Sequence, residues 1–185
     1  HYREDYIVPL NITLHENQRI LLISGPNAGG KSICIKTVGL LQYMWQCGLL
    51  IPALEDSVVG IFDNIFIDIG DEQSLENDLS TYSSHLNNMK FFLKNGNHST
   101  LLIIDEWLLY PLKETEARDL LEIVESRYKR NSTIFCSQFD IPGWPEKLSD
   151  PLLADAICDR IVHDAYTVVI GGKESMRKRK GLQDA

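Results

Sequence analysis

Residues 19–38, RILLISGPNAGGKSICIKTV, decide the fold. The run RILLIS is continuously apolar after its arginine, as expected of a strand buried on both faces. From Lys31 to Cys47 the chain is apolar nearly all round at helical spacing, which predicts a helix buried in the interior. Between them GPNAGGKS, residues 25–32, fits G-x-x-x-x-G-K-[ST] in full. Glycines at these places let the backbone wrap a polyphosphate so that amide N–H groups converge on its oxygens. The opening helix adds the positive end of its dipole to the same anion site. A chance glycine-rich turn would not need a strand before it and a helix after it, and both are in register. Gly25, Pro26, Asn27, Ala28, Gly29, Gly30, Lys31, Ser32 and the following Ile33 are therefore candidates to hold a nucleotide. Lys31 would neutralise the outer phosphates, and the Ser32 hydroxyl would ligate Mg²⁺.

Such a cradle needs a carboxylate on a parallel strand to hold the metal. LLIIDE, residues 101–106, supplies it: an aliphatic run too short for a typical helix ends in Asp105 and Glu106. Asp105 is the candidate metal ligand, and Glu106 is placed to polarise an attacking water. The plainer alternative is a structural acidic pair at a strand end.

The rest of the chain alternates in kind. NITL, the turn HENQ and RILLISG suggest an N-terminal β-hairpin, and IFDNIFIDIG (61–70) a strand. Leu79, Tyr82, Leu86, Met89 and Leu93 recur at helical spacing, as do Ala117, Leu120, Leu121, Val124 and Tyr128. STIFCSQ (132–138) reads as a strand, 153–164 as a helix and YTVVIGG as a last strand. Strands alternating with helices predict an α/β fold, a P-loop NTPase three-layer sandwich with a mainly parallel sheet. At 185 residues one domain is expected, spanning 1–185.

A net charge of −8 argues against a general nucleic-acid coat, although the basic tail at 173–180 could touch DNA phosphates weakly. A solvated, frayed end explains that tail equally well. No membrane-length apolar run and no secretory signal is seen. The four cysteines lack paired spacing and read as small buried hydrophobes in a reducing, cytoplasmic setting. His85 and His163 are expected to serve packing or solvent roles.

Residues of about 5–98, from IVPLNITLHENQRILLISGPNAGGKS to IGDEQSLENDLSTYSSHLNNM, resemble the ATPase domain of the MutS mismatch-repair family, especially its second bacterial branch. LSTYSSH matches the signature segment of an ABC-type engine. The resemblance implies that Ser80 reaches a partner's γ-phosphate and that Ile7 and Val8 lie near adenine. A helix N-cap at Ser80 or Thr81 is the competing reading, and the favoured one. That family's Gly-Thr-rich crossing segment and later γ-phosphate-sensing histidine do not follow. Instead LLIIDEWLLYPLKETEARDLLEIVESRYKRNSTIFCSQFDIPGW and LADAICDRIVHDAYTVVIGGKESMRKRKG resemble the C-terminal half of IstB, a transposition helper ATPase of the AAA+ class.

By that second resemblance, Ser137 or Gln138 senses the γ-phosphate, and Arg160 matches the arginine that AAA+ subunits offer to a neighbour. A solvated arginine on an amphipathic helix is the alternative for Arg160. Two lineages meeting at one strand imply a chimera, with 1–98 from one parent and 99–185 from the other. Each brings only part of its parental assembly, so self-association is expected to be incomplete. Cavities or exposed apolar surface are expected at Trp107, Leu108, Leu109 and Tyr110 beside the junction. The function implied is binding of ATP or ADP with Mg²⁺ and weak or no hydrolysis. The alternatives are a scaffold that binds no nucleotide and a natural DNA-linked ATPase of repair or transposition.

Overall fold

The computed structural model describes residues 10–26, 29–69 and 78–170, with side chains of 78–84 and 86 left out. Among the described residues, five strands and four α-helices alternate. They are β1 (Ile20–Ser24), α1 (Lys31–Gln46), β2 (Asn64–Asp68), α2 (Asp78–Asn95), β3 (Thr100–Ile104), α3 (Glu114–Arg127), β4 (Thr133–Ser137), α4 (Pro151–Val162) and β5 (Ala165–Val169). All strand pairs are parallel, in the order β2-β3-β4-β1-β5.

Alternate residues of each strand point to opposite faces. Leu21, Ile23, Leu101, Ile103, Ile134 and Cys136 therefore share one core with Ile35 of α1. Ile20, Leu22, Leu102, Ile104 and Phe135 share the other with Met89 and Phe92 of α2, Leu120 and Ile123 of α3 and Ile157 and Ile161 of α4. The result is the expected three layers, with α1 on one side of the sheet and α2, α3 and α4 on the other.

Three expectations need correction. The N-terminal hairpin is reduced to one antiparallel bridge, His15 with Gln18, and residues 11–14 form no ladder with β1. A strand in the β1 position already has partners on both sides, so it offers no free edge to a hairpin. Helix α1 is not buried all round. Only Lys31, Ile35, Gly39 and Gln42 are buried, a single stripe facing the sheet. Its outer face leaves Ile33, Leu40, Tyr43 and Trp45 between 44% and 69% exposed, because α1 is the one described helix on that side. Finally, of the four cysteines only Cys136 is buried, and Cys47 is exposed.

The junction after β3 packs better than expected in one respect and worse in another. Trp107 and Leu108 are buried rather than exposed, and Trp107 meets the rings of Phe135 and Trp144 at centroid distances of 4.4 and 6.1 Å. A cavity of about 20 Å³ adjoins Trp107, Leu109 and Tyr110, as expected. Yet the Trp107 Nε1–H is buried without a hydrogen-bond partner among the described residues, which costs about 1–3 kcal/mol. Glu106 and Leu108, on either side of it, hold left-handed backbone at φ 53° and 54°. For residues with a Cβ that conformation is strained, by roughly 1–2 kcal/mol each.

At the opposite edge of the sheet a single side chain ties three elements. Arg127 Nε donates to Thr133 Oγ1, and Nη2 donates to Thr100 O and Ser132 O, at 2.7–2.9 Å. Burial lowers its pKa to about 10, which still leaves the guanidinium charged at neutral pH. Lysine lacks the rigid planar fork with which arginine presents these donors. Arg127→Lys should therefore destabilise the fold by about 2 kcal/mol, several degrees in Tm, since acceptors are left unpaired. A melting curve superimposable on the parent's would show that the tie contributes nothing.

Candidate nucleotide site

The site forms where β1 ends. Gly25 has φ 146°, and a Cβ there would stand 2.3 Å from Ile170 O, so the strand can turn at that point only with glycine. Ile170 N in turn donates to Ser24 O, which fixes the segment after β5 against the turn. Gly29 N donates to Pro26 O at 3.2 Å and closes the loop. Gly30, at φ 96°, is the N-cap of α1, where a residue with a Cβ would again be strained. Asn27 and Ala28 lie outside the described residues.

Helix α1 begins with no side-chain cap and no acidic residue in its first turn. Its first N–H groups and the positive end of its dipole are thus left for an anion. Lys31 is buried at 6% exposure, and its Nζ donates to Gly25 O at 2.7 Å and Pro26 O at 2.9 Å. The ammonium is folded onto the carbonyls of its own loop, which a phosphate would have to outcompete. Ser32 is half-buried and makes no side-chain hydrogen bond among the described residues. Ile33 points outward at 69% exposure.

The acids stand two strands away. β4 alone separates β1 from β3, and Trp107 N donates to Cys136 O, which levels the ends of β3 and β4. Asp105 is buried, and its Oδ1 accepts from Glu106 N at 2.9 Å. Cys136 lies between the two halves of the site. Its thiol pKa is pushed up, first by burial and then by the charge of Asp105 and a hydrogen bond to it, while Lys31 pulls the other way. One buried thiol thus senses both the loop lysine and the acid.

The other expected residues fall out as follows. Ser137, at the end of β4, is fully buried, and its Oγ donates to Trp107 O at 3.1 Å and accepts from Phe139 N at 3.2 Å. Its hydroxyl is thereby committed to the junction loop. Gln138, one residue on, is half-buried and makes no side-chain hydrogen bond among the described residues. Arg160 is held on α4 by an ion pair with Glu125 of α3 at 2.8 Å and by Ala156 O at 2.9 Å. Ile7, Val8 and the 173–180 tail lie outside the described residues. Ser80 lies within α2, which is described from Asp78 onward, rather than at an N-cap. His163 is exposed and pairs with Asp159 one turn back, the solvent role expected of it.

One polar contact was not foreseen. His85 Nδ1 lies 2.6 Å from Asp68 Oδ2, and Asn88 Nδ2 donates to Asp68 Oδ1 at 3.0 Å. Asp68 ends β2 opposite Ile104, and its carbonyl accepts from the N–H of Asp105, the residue that follows β3. The His85 pKa is raised, chiefly by the hydrogen bond to Asp68 and then by the charges of Asp68, Glu106 and Asp105, with burial opposing. The available signal was that NIFID and LLIID are two apolar runs each closing on an aspartate.

Comparison with known proteins accords with this geometry. Residues 21–108 match MutS domain V, and residues 75–184 match the IstB-like ATP binding protein family. Among curated relatives, Endonuclease MutS2 of Lactobacillus acidophilus is 57% identical over 100 residues, 54% of this chain and 13% of the relative. Endonuclease MutS2 of Halalkalibacterium halodurans is 43% identical over 190 residues, 98% of this chain and 24% of the relative. That of Clostridium botulinum is 42% identical over 187 residues, 96% of this chain and 24% of the relative. The chain thus spans between 13% and 24% of the length of these three relatives. Parallel sheet, glycine-rich turn and family matches together define an ATP-binding P-loop domain. The IstB-like match covers more than half of the residues, and the chain belongs to that family.

No helix among the described residues is long and apolar enough to cross a membrane.

The His85–Asp68 contact makes stability depend on pH. A histidine whose folded pKa exceeds about 6.5 stabilises the fold fully below that pH, and the contribution fades as pH rises through the raised value. The stability of the parent against denaturant should therefore fall from pH 6 to 8 relative to that of His85→Gln. Parallel pH profiles for the two proteins would contradict this.

Proposed function

We propose that this chain binds ATP or ADP together with Mg²⁺ and hydrolyses ATP slowly. One observation carries the reading: the Lys31 turn and the Asp105–Glu106 tip stand at the same edge of one parallel sheet, with only β4 between them. The start of α1 supports an anion at Gly25–Ser32, since no side-chain cap occupies its first N–H groups among the described residues.

The donor set suits Mg²⁺. A small hard cation is commonly held by one or two carboxylates, a hydroxyl and the phosphates themselves rather than by a protein cage. Ser32 and Asp105 would supply the hydroxyl and the carboxylate. When bound, the cation neutralises charge on the phosphate oxygens. Lys31 would leave the carbonyls of Gly25 and Pro26 for the outer phosphates. Glu106 would orient a water and take its proton. Gln138 is better disposed than Ser137 to meet the γ-phosphate, because the Ser137 hydroxyl already bonds Trp107 O.

Slow turnover follows from what the chain itself offers. Arg160 is engaged with Glu125, and an arginine supplied to the transition state is typically worth about 10³–10⁵ in rate. The two overlapping family matches support a composite of two P-loop lineages changing over near β3, within one domain of 1–185. The alignments to MutS2 proteins over 96–98% of the chain favour the competing origin, a natural DNA-linked ATPase. Stimulation of hydrolysis by DNA would support that origin. The net charge of −8 argues for weak DNA contact, confined to the 173–180 tail.

Titration calorimetry with MgATP tests binding directly. Lys31→Ala should abolish both the heat of binding and the nucleotide-induced rise in Tm. Glu106→Gln should keep both and lower hydrolysis at least about 100-fold. A Lys31→Ala protein that still melts higher with MgATP would exclude the proposed cradle.

A further inference from the structure

Three acidic residues stand at the ends of two adjacent strands at one corner of the sheet. Asp68 closes β2, Asp105 and Glu106 follow β3, and Asp105 N donates to Asp68 O at 2.8 Å. Asp68 is only 3% exposed, and a buried carboxylate is costly unless its oxygens are satisfied. Both are: His85 takes Oδ2, and Asn88 one turn further along α2 takes Oδ1. Helix α2 is thereby fastened to the acidic tip through two residues on one face.

The imidazole does more than fill space. His85 lines the same small cavity as Asp105, Glu106 and Trp107. Glu106 sits there in left-handed backbone, at φ 53°, immediately past the last strand residues. Its direction is not dictated by the strand's alternation, so neighbours beyond its own strand must set it. His85 lies close enough that the Glu106 carboxylate contributes to raising its pKa. The ring is itself fixed, because Nδ1 is engaged by a carboxylate that cannot move without breaking a second bond to Asn88.

We propose that His85, oriented by Asp68, is a positioning residue that holds the Glu106 carboxylate in line for hydrolysis. In the reaction the oxygen of water bonds to the γ-phosphorus as Glu106 takes one of its protons. The bond from phosphorus to the bridging oxygen breaks, and ADP leaves with that electron pair. His85 gains and loses no proton. This rests on the proposed ATP-hydrolysing reading, and it adds a function for the helix that carries the LSTYSSH segment: the segment's last residue supports the acids of its own chain.

The test uses the full chain and the variants His85→Ala, His85→Gln, Asp68→Asn and the double variant His85→Ala/Asp68→Asn. MgATP affinity is read by calorimetry, kcat and KM by phosphate release, and Tm by thermal unfolding. His85→Ala and Asp68→Asn should each lower kcat about 10–100-fold, as loss of a supporting partner does for metal-site carboxylates, with affinity and KM nearly unchanged. The double variant should be no worse than the poorer single, because the pair acts as a unit. His85→Gln, whose amide can still donate to Asp68, should recover part of kcat. If His85→Ala is unfolded at the assay temperature, His85→Gln and Asp68→Asn decide the matter. A His85→Ala kcat within about twofold of the parent, a matching rise in KM or additive losses in the double variant would overturn the proposal. A parent that binds MgATP without turnover would overturn it while leaving nucleotide binding intact. A parent that binds no MgATP would remove both.

Discussion

The register of three parallel strands holds the rest of the structure in place. Ser24 at the end of β1 pairs with Ser137 at the end of β4, and Ile104 at the end of β3 pairs with Phe135. Chain leaving β1 and chain leaving β3 therefore emerge at one edge, a single strand apart. A one-residue slip in either pair would turn every side chain of that strand to the wrong core. It would also withdraw Asp105 from the neighbourhood of Cys136 and Lys31.

Two charged groups are kept at that edge by different means. Lys31 remains buried because two backbone carbonyls of its own loop accept its protons. The acids remain because backbone and side-chain donors surround them: Glu106 N at Asp105, and His85 with Asn88 at Asp68. The positive corner and the negative corner face each other across Cys136, whose thiol is shifted by both. A ligand that carries phosphates and a divalent cation satisfies such a split site, because it brings negative charge to one side and positive charge to the other.

The segment after β3 has a physical signature of its own. The strands are apolar on both faces, so the sheet and its two cores close without exposing Trp107 or Leu108. The strain is concentrated in a few atoms: an indole N–H with no acceptor among the described residues and two left-handed residues flanking it. Aliphatic surfaces pack in many arrangements because dispersion and burial are non-directional. Hydrogen bonds are directional, so the strain is felt at a polar atom.

How much of this was legible beforehand depends on the range of the interaction concerned. The glycine-rich turn, the strand before it, the helix after it and the acids closing LLIIDE are local patterns, and local sterics and periodicity fix them. Layering followed as well, since unbroken apolar strands alternating with helices can bury both faces in few ways. What needed the tertiary structure was every relation between distant segments. That His85 would leave its packing role for Asp68 depended on β2 lying beside β3. That Ser137 would spend its hydroxyl on Trp107 O depended on the path taken after β3. The apolar outer face of α1 reads in one dimension like a buried helix, and only the count of layers above it shows otherwise. Sequence by itself determined the elements and the chemistry each could carry. Tertiary structure decided which polar atoms meet, because a directional bond between residues far apart in the chain has no periodic trace along it.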